Sequence, residues 1–130
     1  MLEIGTSAEW RANTSGKALT TDQVWGSAAE VTLTDATTIA VDMGAFLNAV
    51  VTLGGNRTLG SPSNMKVGQS GYIRIVQDGT GGRTLSYAAY WEFDGGTAPT
   101  LSTGASDEDM LYYTVISSTR VHGTLRNGIS

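Results

Sequence analysis

Residues 54–59 (GGNRTL) and 79–85 (GTGGRTL) decide the fold, because each is a glycine-rich turn followed by the same tripeptide, Arg-Thr-Leu. An apolar run precedes each turn, AVVTL at 49–53 and YIRIV at 72–76. A strand, a glycine turn and a second strand are the pattern of a β-hairpin. The sequence therefore predicts the same hairpin twice in the middle of the chain.

Short strands are also predicted on both sides of this repeat. They cover residues 31–34, 38–42, 84–87, 90–93 and 110–125, the last of these as a hairpin that turns at 117–119. In the run at 72–77, alternation predicts that Tyr72, Arg74 and Val76 face one way and that Ile73 and Ile75 face the other. Many short strands at regular spacing are typical of all-β proteins. We predict an all-β domain over residues 30–130, a β-sandwich of the jelly-roll-like kind.

Residues 1–29 follow a different pattern. Thr6 or Ser7 can cap a helical turn over residues 8–11, and Thr20 or Thr21 can cap a second one over residues 20–25. A segment this short cannot bury a core of its own. We therefore predict a helical or extended attachment arm that packs on the β domain or on a neighbouring subunit. The residues predicted to anchor it are Trp10, Leu19, Val24 and Trp25.

The composition limits the classes of function. The chain has 130 residues, enough for one domain with a modest core, and a net charge of -4. Its arginines are scattered and form no basic cluster, so we predict no nucleic-acid partner. The absence of cysteine excludes disulfides, thiolate metal sites and cysteine nucleophiles. No apolar stretch is long enough to span a bilayer, so we predict no membrane insertion.

Few residues are candidates for chemistry. His122, the only histidine, could be a base or a metal ligand, but the alternation of residues 121–125 favours a position on a strand surface. The carboxylates at 107–109 could bind a hard cation, yet consecutive carboxylates rarely converge and a solvated loop is favoured. Glu92 and Asp94 lie beside aromatic residues, and paired carboxylates near aromatics are typical of glycoside hydrolases. Two residues apart on a strand they would share a face, although this spacing is common by chance. We predict no catalytic residue, no cofactor and no metal site.

Aromatic residues form a second set of candidates. Tyr87, Tyr90 and Trp91 could form a surface on which sugar rings stack, together with Tyr112 and Tyr113. Packing in the core or in an interface is the favoured alternative for such side chains. The loops predicted to contact a glycan are those at 60–70, 94–99 and 104–109.

Longer stretches of the chain resemble a known module. They are residues 51–62, 68–78, 83–87, 91–93 and 95–102. These stretches resemble the C-terminal module of structural proteins of tailed bacteriophages and related gene-transfer particles. Residues 11–25 are similar to the short attachment motif that often precedes this module. The larger shaft region of a long fibre has no counterpart in the sequence, which favours a compact decoration or spike.

The resemblance implies an exposed, oligomeric component of a virion, and it brings no catalytic residue with it. The expected function is that of a phage structural protein, either a capsid decoration or a subunit of a head fibre, tail fibre or spike. A homotrimer is favoured, with a pentamer as the alternative, and the expected ligand of the loops is a host-surface glycan. Two other functions stay open: a carbohydrate-binding module that acts as a monomer, and a glycan-degrading enzyme that uses Glu92 or Asp94.

Overall fold

The computed structural model of the chain describes residues 3–12 and 15–130, so positions 1, 2, 13 and 14 of the predicted arm lie outside the described residues. The α-helices of the described part are Ser7–Arg11 (α1) and Thr21–Ala28 (α2). The strands are β1 (Glu3–Ile4), β2 (Lys17–Ala18), β3 (Glu30–Thr32), β4 (Thr38–Ile39), β5 (Asn48–Leu53), β6 (Arg57–Leu59), β7 (Ser70–Gln77), β8 (Leu85–Tyr87), β9 (Trp91–Phe93), β10 (Glu108–Ser117) and β11 (Arg120–Arg126). A 3₁₀ turn, Asp94–Gly96, follows β9. The all-β class is confirmed, and so are both helical turns predicted before residue 30.

The described strands form one large and two small sheets. The large sheet has the order β3-β5-β7-β10-β11-β9, a three-stranded sheet has the order β4-β6-β8, and β1 pairs with β2. Strands β3, β5 and β7 are parallel to one another, and so are β4, β6 and β8. Antiparallel pairing joins β10 to its two neighbours, β7 and β11. The hairpin predicted at 110–125 is this β10–β11 pair and is confirmed.

The two hairpins predicted around the glycine turns are wrong. Strand β5 pairs with β3 and β7, and β6 pairs with β4 and β8, so the two strands that flank a glycine turn belong to different sheets. Each turn therefore forms an arch between sheets, and successive arches stack in parallel. The physical reason is burial, because Val51 and Leu53 before the first turn and Leu59 after it are fully buried in one shared core. A flat hairpin would leave that apolar face without a second layer to cover it.

Side chains join the turns of successive arches. Asp35, in the turn after β3, accepts hydrogen bonds from the Gly54 amide (3.2 Å) and from the Arg57 guanidinium (2.8 and 2.9 Å). Asn56, in the next turn, accepts a hydrogen bond from the Thr84 amide (3.0 Å) in the turn after that. The repeat of the sequence is therefore a repeat of stacked turns, each bonded to the one before it.

The repeated tripeptide is not in register between the two arches. Arg57 pairs with Leu85, and Leu59 pairs with Tyr87, so the second Arg-Thr-Leu is displaced by two residues. A shift of two residues keeps every side chain on its own face of a strand, and Leu59 and Leu85 both remain buried. The displacement follows from the different lengths of the two turns. The first turn consists of residues 54–56, and the second, longer turn consists of residues 78–84.

Asp78 closes this longer turn. One of its carboxylate oxygens accepts hydrogen bonds from the amides of Thr80 (3.1 Å) and Gly81 (3.0 Å), and the Arg83 guanidinium approaches the other at 2.7 Å. These contacts lower the pKa of Asp78 to about 2. The contact with Arg83 is the main cause, and the amides of Gly81 and Thr80 contribute further.

We expect the stability that Asp78 contributes to be lost in acid. Its pKa is lower in the folded chain than the value of about 3.9 expected in the unfolded chain, so the contribution is present above about pH 4 and disappears as the pH falls towards 2. The midpoint of urea unfolding, measured between about pH 5 and pH 2, should therefore fall less steeply for Asp78→Asn than for the unaltered chain. Equal slopes for the two proteins would contradict this account.

The main core is shared by the large sheet and the three-stranded sheet. Ile73 and Ile75 are buried in it, as alternation predicts, while Tyr72 and Arg74 lie on the opposite face of β7. Phe46 is also fully buried, and it comes from residues 43–47, which lie outside the helices and strands. The side chains that close the core therefore come from loops as well as from strands.

Candidate functional site

The residues before β3 form a small folded arm. Its first helix, α1, is capped by Thr6, whose side chain accepts a hydrogen bond from the Glu9 amide (3.1 Å) while the Glu9 carboxylate accepts one from the Thr6 amide (2.7 Å). In α2 the side chain of Gln23 accepts a hydrogen bond from the Thr20 amide (3.1 Å). The Ser7 hydroxyl joins the two helices by donating to the Gln23 carbonyl (3.1 Å). The arm is thus ordered by its own polar contacts.

The residues predicted to anchor the arm are exposed. Trp25 is 76% exposed, and Trp10, Leu19 and Val24 are between 39% and 48% exposed. Trp10 and Leu19 border one small cavity of about 190 Å³, and Val24 and Trp25 lie on α2. Their role as anchors stays a prediction, but their positions leave them free to be covered by another chain.

Few polar contacts attach the arm to the β body. Asn48, at the start of β5, donates to the Ala28 carbonyl (2.8 Å), and the Arg11 Nε donates to the Gly44 carbonyl (3.4 Å). A groove of about 320 Å³ lies where the arm meets the body. Its lining includes Trp10 and Arg11 of α1 and Leu47, Lys66 and Gln69 of the body. We call it the arm groove. A second hollow of about 270 Å³ shares Arg11 and Lys66 with it and reaches Asp42 and Asn64.

The wall of the arm groove that the body supplies is held in place by hydrogen bonds. The Gln69 side-chain amide donates to the carbonyls of Met43 (3.0 Å) and Phe46 (2.9 Å). The buried Tyr113 hydroxyl donates to the Leu47 carbonyl (2.6 Å). Burial raises the pKa of the Tyr113 hydroxyl to about 12, so this donor keeps its proton at neutral pH. The loop that forms one wall of the groove is therefore held in place.

The aromatic surface predicted for sugar stacking is wrong for Trp91. Trp91 is only 6% exposed, and its indole Nε1 donates to the Gly60 carbonyl (2.9 Å) in the interior. Tyr87 and Tyr90 are half-buried against the same core, and the Tyr87 ring meets that of Phe93 edge to face at 4.5 Å. Because β9 is an edge strand whose inner face bears Trp91, the favoured alternative, core packing, describes this cluster.

The paired carboxylates at 92 and 94 each have a basic partner. Glu92 forms a two-point ion pair with Arg120 (2.6 and 3.1 Å), and Asp94 contacts the Nε2 atom of His122 (2.9 Å). The Arg120 guanidinium lowers the pKa of Glu92. A general acid of a glycoside hydrolase needs the opposite shift, a raised pKa. The electrostatic setting of this pair therefore does not favour acid catalysis, and His122 lies half-exposed on its strand, as alternation predicts.

The three acidic residues at 107–109 point to three different partners. Asp107 accepts a hydrogen bond from the Gly104 amide (2.8 Å), Glu108 pairs with Arg74, and Asp109 is buried and accepts one from the Ser102 amide (2.8 Å). The predicted loop at 104–109 ends earlier than expected, because Glu108 and Asp109 already belong to β10. Within residues 3–12 and 15–130, no group of three or more acidic or histidine side chains is placed to hold a metal ion.

Sequence reasoning missed the arm groove. Its residues come from α1 and from loops more than 30 positions away, and no motif links them. The sequence predicts Trp10 only as an anchor and Arg11 only as part of the attachment motif at 11–25. It predicts Lys66 and Gln69 only as members of the loop at 60–70 that contacts a glycan, without linking that loop to α1. The sequence signal that could have indicated this groove is the pair Trp10 and Arg11, an aromatic residue next to a cation on a short capped helix.

Compared with known proteins, the chain matches no protein family, no curated protein and no solved structure. Among the described residues, no helix has the length and apolar character that crossing a bilayer requires.

Proposed function

We propose that the protein is a structural component of a bacteriophage virion, a capsid decoration or a fibre or spike subunit displayed in several copies. Residues 1–29 act as the arm that attaches each copy to the particle or to its neighbour, and residues 30–130 form the displayed body. A homotrimer is the favoured assembly, with a pentamer as the alternative. The resemblance of the sequence to phage structural modules is the first support for this proposal.

The exposure of the arm is the observation that carries the proposal. Trp25 is 76% exposed and Leu19 is 48% exposed, in a helical arm that hydrogen-bonds sparsely to the body. Several exposed apolar side chains on one short segment are typical of a surface that another chain covers, and symmetric assembly offers such a chain. The short edge strand β3, exposed along its whole length, lies directly after the arm and adds to the same surface.

The body suits display. Its turns are bonded to one another in a stack, and its loops project from a rigid double-sheet core. We keep the sandwich-like layering of two sheets as part of the proposal. The jelly-roll connectivity has less support, because jelly rolls are built from antiparallel strands and β4, β6 and β8 are parallel.

Removing the Trp25 indole is expected to break the oligomer. At a concentration at which the unaltered chain is a trimer by native mass spectrometry, Trp25→Ser should be mainly monomeric, since loss of a central aromatic contact weakens an interface by about 2 kcal/mol or more. Val67→Ser is the matched control, because Val67 is equally open (74% exposed) but lies on a loop of the body. A monomeric unaltered chain, or a trimer that Trp25→Ser leaves intact, would contradict the proposed role of the arm.

The location on a particle is tested by imaging. Antibody labelling of purified particles from a producing strain should mark a symmetric set of positions on the capsid or tail. Particles without label, from a strain that makes the protein, would overturn the virion proposal. Binding to a glycan array by an isolated monomer, without any particle, would instead favour the carbohydrate-binding module.

A further inference from the structure

We propose that the arm groove binds an acidic sugar, a uronic-acid residue of a polysaccharide, with its carboxylate between Arg11 and Lys66. This inference deepens the glycan contact in the proposed function and depends on that part of it alone. It moves the contact from the aromatic cluster around Trp91, which is buried, to a groove that the fold assembles from the arm and the body.

The two cations of the arm groove form no ion pair with a described carboxylate. Four of the other five guanidinium groups have a carboxylate partner in the described part of the chain, and Arg126 is the exception. The four are Arg57 with Asp35, Arg74 with Glu30 and Glu108, Arg83 with Asp78, and Arg120 with Glu92. Among the described residues, no carboxylate lies within 4.0 Å of Arg11 or Lys66, and the one polar contact of Arg11 is the long bond to the Gly44 carbonyl. In a chain of net charge -4, two such cations lining one groove attract an anion.

The arm groove also offers an apolar wall. Trp10 is 40% exposed and lines it together with Leu47, so part of the indole is accessible to a ligand. The face of an aromatic ring carries negative charge density and attracts the slightly positive C–H groups of a sugar ring. A cationic rim beside an aromatic wall matches a molecule that has a carboxylate at one end and a C–H face along its side.

The adjoining hollow supplies hydrogen-bond acceptors. One oxygen of Asp42, Oδ1, accepts hydrogen bonds from the Gly44 amide and from the Asn64 side chain, both at 2.9 Å. Within the described residues, the other oxygen of Asp42 and the Oδ1 atom of Asn64 accept none. Sugar hydroxyls are donors that suit them, since carboxylate and amide oxygens accept hydrogen bonds from hydroxyl groups.

The site is preorganised and has a suitable size. Its volume of about 320 Å³ is at the small end of the range for ligand pockets and suits one sugar ring at a time. Gln69 and Tyr113 hold the body wall by the bonds described above, so binding does not have to order that wall first. A polysaccharide that passes through the groove would thus be held at one acidic ring and contact the surface weakly elsewhere.

The test uses the full chain and a defined probe, a short oligogalacturonate, with its methyl ester as the matched neutral ligand. Calorimetry should detect binding of the oligogalacturonate, and esterification should weaken it at least tenfold because the ester keeps the rings and removes the charge. In nitrogen–proton spectra the Trp10 indole signal should shift on titration, and the buried Trp91 indole should serve as the unmoved reference. The Trp10 signal is assigned by its loss in Trp10→Phe.

Variants locate the site. Arg11→Gln is expected to weaken binding about tenfold and Lys66→Gln several-fold, since each removes one charged contact to the carboxylate. Arg126→Gln is the matched control; Arg126 is exposed, and no carboxylate of the described residues lies within 4.0 Å of it, but it lies at the end of β11. Failure of the acid to bind, equal binding of the ester, or equal effects of Arg11→Gln and Arg126→Gln would each overturn the inference. None of these results would change the oligomer mass or the particle image, which test the virion proposal separately.

Discussion

Gly71→Ala is expected to destabilise the protein by about 3 kcal/mol or more, or to prevent folding altogether. A Cβ atom on Gly71 would lie 2.1 Å from the Leu47 carbonyl oxygen and 2.8 Å from the Oδ1 atom of Asn48. The first of these is a backbone atom in the loop that enters β5, so it cannot rotate away as the end of a side chain could. Relief of the clash requires β7 and this loop to separate, which breaks contacts at the centre of the large sheet.

The clash matters further because Asn48 links the arm to the sheet. Its Oδ1 atom accepts a hydrogen bond from the Tyr72 amide (3.1 Å), and its Nδ2 atom donates to the Ala28 carbonyl (2.8 Å) at the end of α2. Displacing this loop should loosen both bonds. The expected result is therefore a lower unfolding midpoint together with faster amide exchange in α2.

Gly79→Ala is the matched control for this experiment. No described atom lies within 4 Å of a Cβ atom built on Gly79, so the same chemical change meets open space there. Urea unfolding at neutral pH should place Gly79→Ala within about 0.5 kcal/mol of the unaltered chain. If Gly71→Ala were as stable as Gly79→Ala, the close approach of β7 and the loop before β5 would be wrong.

Alternation along single strands could be predicted from the sequence, because it depends only on local pattern. The inward positions of Ile73 and Ile75, the strand-surface position of His122 and the β10–β11 hairpin all follow from the period of two. The helix starts at Thr6 and Thr20 were also predictable, since capping side chains act within four residues.

The pairing of the strands could not be predicted in the same way. A glycine turn between two apolar strands permits both a hairpin and an arch, and the choice depends on which partner covers the apolar faces of both strands. Here the partner of each strand is the corresponding strand of the next arch. Ala49 of β5, for example, pairs with Ile73 of β7, 24 residues further along the chain, so the decisive contacts are not local. The two-residue displacement of the Arg-Thr-Leu repeat has the same origin, because it depends on how the longer turn folds around Asp78.

The candidate site shows the same limit. Exposure of Trp25 follows from its position in a short arm, but the arm groove requires α1 to lie against Lys66 and Gln69. Burial of Trp91 depends on the parallel pairing of β9 with β11, which no local pattern specifies. Aromatic residues in a β protein therefore cannot be assigned to surface or core until the order of the strands is known.

Asp109→Ala is the second change with a large expected effect, a loss of about 3 kcal/mol in the free energy of unfolding. The carboxylate is 2% exposed, and its two oxygens accept hydrogen bonds from the Ser102 and Gly128 amides, both at 2.8 Å. Alanine would remove this buried, charged acceptor from both amides, and each such loss costs about 1–3 kcal/mol. Urea unfolding measures the total loss.

Two further variants separate this role from a general effect of charge. Asp109→Asn keeps the shape and one acceptor oxygen, so its loss should lie between that of Asp109→Ala and zero. Asp22→Asn removes the same charge from an exposed position in α2 and should change stability by about 0.5 kcal/mol or less.

Amide exchange at Ser102 and Gly128 should rise in Asp109→Ala beyond what the global loss of stability explains, because this side chain fastens both the loop before β10 and the end of the chain. Unchanged exchange at both amides, with stability within about 0.5 kcal/mol of the unaltered chain, would show that Asp109 does not fasten these segments.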